Sequence, residues 1–112
     1  MNDIEEIIDA LVDFRNKRDW KQFHDSKNLA SAISIEAAEL NELFLWKTIE
    51  QCEHVDKAKI KEELADIFSF AFLLAEKHSF NVKEIIFEKI RINNEKYPVD
   101  KAKGNATKYT DL

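Results

Sequence analysis

The segment 56–78 reads DKAKIKEELADIFSFAFLLAEKH. Its apolar residues recur every three or four positions, which is the spacing of one face of an α-helix. Asp56 stands just before this pattern and can cap the N-terminus of a helix. We therefore predict one long helix over the segment. The residues of its apolar pattern are Ile60, Leu64, Ile67, Phe68, Ala71, Phe72 and Leu74.

Three more segments show helical spacing of apolar residues, at 2–21, 29–46 and 81–97. Asn, Asp or Ser residues stand at or just before each start and can cap it. Pro98 follows the last segment and ends it, because proline disrupts the interior of a helix. The residues beyond it, 99–112, show no periodicity and are predicted to form an irregular extension.

The composition supports an all-α fold and a single domain over residues 1–112. The chain has one Gly and one Pro, with 45% hydrophobic and 35% charged residues. Such a composition is typical of long helices joined by few turns. Residues 47–55 have weak periodicity and are predicted to connect two helices, with room for one short helical turn. The expected architecture is a four-helix bundle.

The charge and the cysteine content limit the expected partners. A formal net charge of −5 argues against broad binding to nucleic-acid polymers or to anionic membranes. No apolar run approaches the roughly 20 residues that cross a bilayer. Cys52 has no cysteine partner within the chain, and no signal-peptide pattern is present at the N-terminus. We expect a cytoplasmic protein, and a polyphosphate ligand is compatible with it if a cation stands between ligand and acids.

Four acids stand where apolar residues are expected. Glu36 and Glu39 share a helical stripe with apolar residues in the second predicted helix. Glu63 and Asp66 share a stripe with apolar residues in the third predicted helix. The connection between the second and third helices is short, so we expect the two helices to pack as antiparallel neighbours. Because an unpaired carboxylate is costly to bury, these acids require a cation. Carboxylate oxygens suit Mg²⁺, with Mn²⁺ as a possible substitute, so we predict that the four acids bind metal and are catalytic.

These acids are open to other interpretations. Acids on helices are often a solvated face or ion-pair partners. A ferritin-like di-iron site needs Glu-x-x-His, and a thiolate site needs several cysteines, and the sequence has neither. The dipeptide His24-Asp25 is similar to a His-Asp phosphohydrolase motif, but no histidine precedes it. No glycine-rich phosphate loop is present, so metal and side chains would hold the phosphates.

Basic and aromatic residues form a second group of candidates. Lys89, Asn93 and Lys96 share one stripe of the fourth predicted helix, and Tyr97 follows it. Cations facing acids suggest a phosphate between them, although any one of these residues also fits a solvated helix face. Tryptophan near the acidic stripe can either pack in the core or stack on a base. The candidates close to that stripe are Trp20, His24, Asn28, Trp46 and Lys47.

A series of motifs runs in order along nearly the whole chain. It comprises RDWKQFH at 18–24, KNL at 27–29, EAAEL at 36–40, FLWK at 44–47, EELAD at 62–66, Asn93 with KYP at 96–98, and KYT at 108–110. This series resembles the all-α nucleotide pyrophosphohydrolases, in the MazG-like branch that includes the dCTP pyrophosphatases. The order of the motifs is more specific than the spacing of the acids alone.

The resemblance implies Mg²⁺-dependent hydrolysis of a nucleoside triphosphate to the monophosphate and pyrophosphate, as house-cleaning of the nucleotide pool. It gives the metal-binding role to the same four acids, and implies a homodimer or a homotetramer built as a dimer of dimers. The nucleoside contacts that it implies are Trp20 and Trp46, with His24 and Asn28 near the pocket. The phosphate contacts that it implies are Lys89, Asn93, Tyr97 and Lys108.

Two departures from the resemblance concern the base. Animal relatives that prefer dCTP have His where this chain has Leu11, and Tyr where it has Phe70, itself a candidate for substrate contact. The substrate is therefore left as dCTP or a modified pyrimidine deoxynucleotide. Two alternatives remain open: a non-catalytic helical module that binds a nucleotide or a protein, and a hydrolase of another diphosphate, such as phosphoribosyl-ATP or a sugar nucleotide.

Overall fold

A computed structural model describes all residues, 1–112, and confirms the all-α prediction, since no residue lies in a β-strand. The chain forms two compact units, Met1–Ser79 and Phe80–Leu112, called here the N-terminal and the C-terminal unit. The N-terminal unit contains α1 (Asp3–Lys17), α2 (Ser26–Glu42), α3 (Ile49–Cys52) and α4 (Lys57–Lys77). The C-terminal unit contains α5 (Val82–Lys96) and α6 (Val99–Ala102). Short 3₁₀ turns lie at Lys21–Phe23 and Tyr109–Asp111.

Polar caps fix the starts of the long helices. The Asn2 side chain accepts from the backbone N–H of Glu5, and the Glu5 carboxylate accepts in return from the N–H of Asn2. Asp25 caps α2, with 2.8 Å between its Oδ1 and the backbone nitrogen of Asn28. Asp56 caps α4 in the same way, as the sequence predicts. Each cap satisfies a backbone donor that the first turn of a helix leaves unpaired.

The helix ends differ from the prediction. Helix α1 stops at Lys17 rather than near position 21, and α2 stops at Glu42 rather than near position 46. After each end the backbone turns at a residue with a left-handed φ, 54° at Asp19 and 62° at Trp46. Neither residue is a glycine, so the usual sequence signal for such a turn is missing.

Two connecting segments contain more helix than expected. The connection 47–55 includes α3, which Thr48 caps through the backbone N–H of Gln51, so the short helical turn is confirmed. The extension 99–112 was predicted to be irregular, and this is wrong in part. Pro98 follows the end of α5 and directly precedes α6. Proline is tolerated at the start of a helix, because the N–H that it lacks would have no partner in the first turn.

The core of the N-terminal unit lies where α2 and α1 pack on α4. Leu29 of α2 and Leu73 of α4 are buried, at 2% and 5% exposure. The Ser26 hydroxyl lies 2.9 Å from Nε2 of His78, so the start of α2 meets the end of α4 and the two helices run antiparallel. This direction confirms the predicted pairing of the two acidic helices. No helix is both long enough and apolar enough to cross a membrane.

Candidate metal and nucleoside site

Three of the four predicted acids converge between α2 and α4. Glu36, Glu39 and Glu63 each present a carboxylate oxygen, and these oxygens all lie within 4.8 Å of one another. The i,i+3 spacing places the first two on one side of α2, and the antiparallel packing brings α4 opposite them. We call these three residues the acid cluster.

The acid cluster carries charge that no protein group compensates. Oε2 of Glu36 and Oε2 of Glu63 are buried and have no hydrogen-bond partner. Burial, followed by the hydrogen bond and charge of Glu39 and the charge of Asp66, raises the pKa of Glu36 to about 7. Burial and then Glu39 also raise the pKa of Glu63. Unpartnered, buried carboxylate oxygens fit the binding of a divalent cation, which supplies the missing positive charge.

Asp66 lies beside the acid cluster rather than within it. Its charge contributes to the raised pKa of both Glu36 and Glu63, so it is electrostatically close to them. It is exposed and also lines a neighbouring cavity. The cavity therefore begins about one helical turn along α4 from Glu63.

The cavity has a volume of about 420 Å³ and a mainly apolar wall. Aromatic rings form much of it: His24 meets Phe70 edge-on, with ring centroids 6.4 Å apart, and Phe14 meets Trp20 in the same manner at 5.8 Å. Its size and its few polar groups are typical of small-molecule sites. We call it the aromatic cavity. It is lined by Leu11, Phe14, Arg15, Trp20, His24, Asp66, Ser69, Phe70 and Leu73.

The surroundings of His24 favour the neutral imidazole. Burial, and then the positive charge of Arg15, lower the pKa of its imidazole. Its Nδ1 atom is buried and has no hydrogen-bond partner. A neutral imidazole with an unused ring nitrogen can donate or accept one hydrogen bond to a ligand in the cavity.

The structure does not bring every predicted residue to this site. The Asn28 amide bonds to the Phe23 carbonyl oxygen at 3.0 Å and to Asp25 Oδ2 at 3.1 Å, so it holds the turn before α2. Trp46 is 92% exposed, and neither it nor Lys47 lines the aromatic cavity.

The remaining candidates belong to the C-terminal unit. Within that unit, Lys96 lies over the ring of Tyr109, 4.8 Å from Nζ to the centroid. The Tyr97 and Tyr109 rings meet edge-on at 5.9 Å. Lys89 and Asn93 are exposed on α5, and Lys108 precedes the last 3₁₀ turn.

Arg15 is a cavity residue that the sequence prediction missed. It is 5% exposed and follows Ile4, Ile8 and Leu11 at helical spacing. The same rule that singles out the acids, a charged residue in an apolar stripe, identifies it.

The chain is similar to proteins of known family and structure. The MazG-like family model matches residues 31–112. The chain is 34% identical to dCTP pyrophosphatase 1 of Rattus norvegicus and 36% identical to that of Bos taurus, covering 97% of this chain in both cases and 67% and 68% of those proteins. The crystal structure of a pyrophosphatase from Archaeoglobus fulgidus is similar, with a TM-score of 0.83 and 36% identity over 88% of this chain and 94% of that one.

Proposed function

Because this chain belongs to the MazG-like family, we propose that its acid cluster and aromatic cavity together bind one deoxynucleoside triphosphate for hydrolysis. The chain is a nucleoside triphosphate pyrophosphohydrolase that acts in house-cleaning of the nucleotide pool. Its proposed substrate is dCTP or a modified pyrimidine deoxynucleotide, and its proposed place of action is the cytoplasm. One observation carries the binding of a nucleoside triphosphate: acids with unpartnered, buried oxygens lie next to an aromatic cavity, and Asp66 is close to both.

The acids are proposed to hold Mg²⁺, or Mn²⁺ in its place. Glu36, Glu39 and Glu63 supply ligand oxygens, and Asp66 adds a fourth acid on the side of the cavity. When bound, the cation neutralises charge on the phosphate oxygens. All the protein donors are carboxylate oxygens, which suit these two ions better than softer metals.

The protein groups then position the substrate and move one proton. Trp20 and Phe70 pack against the base, and His24 Nδ1 supplies a hydrogen bond. Water attacks the α-phosphorus and the bond from that phosphorus to the bridging oxygen breaks, which releases the monophosphate and pyrophosphate. Glu36 or Glu39 accepts the proton that the water loses, through a carboxylate oxygen.

Other roles in the proposal rest on the sequence resemblance. The resemblance assigns a nucleoside contact to Trp46, a place near the pocket to Asn28, and the phosphate contacts to Lys89, Asn93, Tyr97 and Lys108. Lys96 joins the phosphate contacts because it shares the helical stripe of Lys89 and Asn93, and Lys47 follows Trp46 in the chain. The resemblance also implies a homodimer or homotetramer. Pockets lined by more than one chain suit a short chain with many exposed apolar side chains.

A panel of canonical and modified nucleoside triphosphates together with phosphoribosyl-ATP, incubated with and without Mg²⁺, tests the proposal. Chromatography of the products should resolve monophosphate with pyrophosphate, formed only when the cation is present, and a pyrimidine deoxynucleotide should have the highest kcat/KM. Diphosphate with phosphate as products would contradict the assigned bond. Tight binding of nucleotide without turnover at high enzyme concentration would instead identify a non-catalytic binding module, and turnover of phosphoribosyl-ATP alone would identify a different substrate class.

A further inference from the structure

Arg15 is the one positively charged residue in the wall of the aromatic cavity. It lies in the last turn of α1, and its side chain is 6% exposed. Arginine is almost never fully buried unless it is paired. The buried position of Arg15 therefore requires hydrogen-bond partners, and only some of its N–H groups have one.

Two of its hydrogens are used within the protein. Nε donates to Asn16 Oδ1 at 3.0 Å, and Nη1 donates to Glu76 Oε2 at 3.2 Å. A guanidinium group carries five N–H donors in a fixed plane, so three of them, including both on Nη2, have no acceptor in the protein. The two bonds hold the plane of the group, which leaves the free donors pre-organised for a ligand.

A second polar group lies close to Arg15 in the same wall. The charge of Arg15 acts on His24, whose Nδ1 is buried without a partner. Arg15 and His24 thus line one cavity, whose other lining residues are apolar or aromatic apart from Asp66 and Ser69. A few polar groups in an apolar pocket fix which edge of a ligand faces them.

We propose that Arg15 determines base specificity by donating two hydrogen bonds to the adjacent acceptors N3 and O2 of cytosine. The inference rests on the proposed function, since it names the base that the aromatic cavity selects. Uracil and thymine carry a hydrogen on N3, which faces a donor and leaves one arginine hydrogen unpaired. A well-formed bidentate contact discriminates between bases by roughly 5- to 140-fold.

Substitution of Arg15 by lysine tests the proposal, because lysine keeps the charge but loses the planar pair of donors. The measurement is kcat/KM for dCTP and for dUTP, which differ at positions 3 and 4 of the base. We expect the dCTP-to-dUTP ratio to fall at least fivefold in Arg15→Lys. The matched control, Arg91→Lys, replaces an exposed arginine bonded to Glu88 and Glu95 on α5 and should keep the wild-type ratio.

A smaller change in the ratio, whatever happens to the absolute rate, would overturn the proposal, because a purely structural arginine lowers both rates together. Guanine also presents adjacent acceptors, O6 and N7, so dGTP is included. Selective loss of dGTP turnover in Arg15→Lys would likewise overturn the assignment to cytosine.

A substrate analogue tests the same contact without altering the protein. In 3-deaza-dCTP a C–H group replaces the N3 acceptor, while O2 and the 4-amino group remain. Wild-type kcat/KM should be at least fivefold lower for the analogue than for dCTP, and equal values would refute the contact even if Arg15→Lys fails to fold. If wild-type protein hydrolyses neither dCTP nor dUTP, the proposed function fails; if it hydrolyses both and the ratio tests fail, only the role of Arg15 is wrong.

Discussion

At the scale of single residues, the carboxylates of the acid cluster repel one another when they are charged. Glu36 has one oxygen buried without a donor, and it faces Glu39 and Glu63 across less than 4.8 Å. Its pKa of about 7 means that the carboxylate is largely protonated in mildly acidic solution and largely charged above neutrality. The stability of the metal-free protein is therefore linked to pH through this group.

The metal-free protein should lose stability as pH rises from about 4.5 to above 7. In that interval the folded state binds more protons than the unfolded state, because the pKa of Glu36 is raised from 4.5 to about 7 and that of Glu63 is also raised. Glu36→Gln should reduce this slope and raise the Tm at pH 8, by about 4 °C for each kcal/mol of repulsion removed. Thermal unfolding in a chelator at several pH values measures both effects. A Tm of the parent that rises over this pH interval would contradict the linkage.

Glu39→Gln should lower kcat by at least about 100-fold while the protein stays folded. The change removes one charge and one ligand oxygen but keeps the size of the side chain, and loss of a group that moves a proton typically costs that much or more. Steady-state kinetics with Mg²⁺, together with circular dichroism, provide the measurement. Glu42→Gln is the control, since Glu42 lies one turn further along α2 and outside the acid cluster. A rate within about threefold of the parent for Glu39→Gln would remove the basis for the metal-site assignment.

At the scale of elements, the turn before α2 connects the aromatic cavity to the acidic helix. Asp25 accepts from the backbone and from the side chain of Asn28, and the same side chain holds the Phe23 carbonyl. His24 lies inside this small network, and its ring contacts Phe70 of α4. Loss of the cap should therefore affect both the helix and the position of His24.

Asp25→Ala should lower the free energy of unfolding by about 1 kcal/mol, the usual cost of losing an N-cap. It should also raise KM more than it changes kcat, because it frees a cavity residue rather than an acid. Urea denaturation and steady-state kinetics test the two parts. Asp9→Ala, an exposed site within α1, should change neither quantity by a measurable amount. Unchanged stability of Asp25→Ala would show that the cap is dispensable.

The sequence predicted the starts of the helices better than their ends. Caps such as Asp25 and Asp56 are local signals, whereas the turns at Asp19 and Trp46 place non-glycine residues in the left-handed region and leave no such signal. The acids were found because they interrupt an apolar period. Arg15 interrupts the apolar period of Ile4, Ile8 and Leu11 in the same way, so the same signal in the sequence identifies it.

Tertiary packing decided which candidates meet. The antiparallel pairing of two helices was enough to bring Glu36, Glu39 and Glu63 together, because i,i+3 spacing and direction determine it. The place of Trp46 depends on the path of the chain after α2, which periodicity does not specify. The phosphate-binding roles of Lys89, Asn93, Lys96, Tyr97 and Lys108 in the C-terminal unit remain predictions, because periodicity does not specify what lies opposite them either.

At the scale of the whole molecule, the chain exposes many large apolar side chains. Ile7, Leu64 and Phe68 are exposed in the N-terminal unit, and Phe87 and Ile90 in the C-terminal unit. Soluble monomers rarely leave extended apolar patches uncovered. Association of identical chains covers such surface in both copies at once, which supports the proposed homo-oligomer.

Light scattering coupled to size exclusion should give two or four times the chain mass of 13.1 kDa. Phe68→Glu should reduce the measured mass, because a charge placed at an apolar interface is costly to bury. Lys61→Glu, an exposed site on the same helix, should leave it unchanged. A mass of one chain for the wild-type protein at micromolar concentration would contradict the proposed assembly.

The left-handed turn at Trp46 also gives the protein an optical property. The chain has two indoles, and their surroundings differ: Trp46 is 92% exposed, whereas Trp20 packs against Phe14 in the aromatic cavity. In a Trp20→Phe variant, the remaining fluorophore emits from water. A blue shift of that emission as the protein concentration rises would report burial of Trp46 by a second copy. A shift that appears only after nucleotide is added would report stacking of Trp46 on the base.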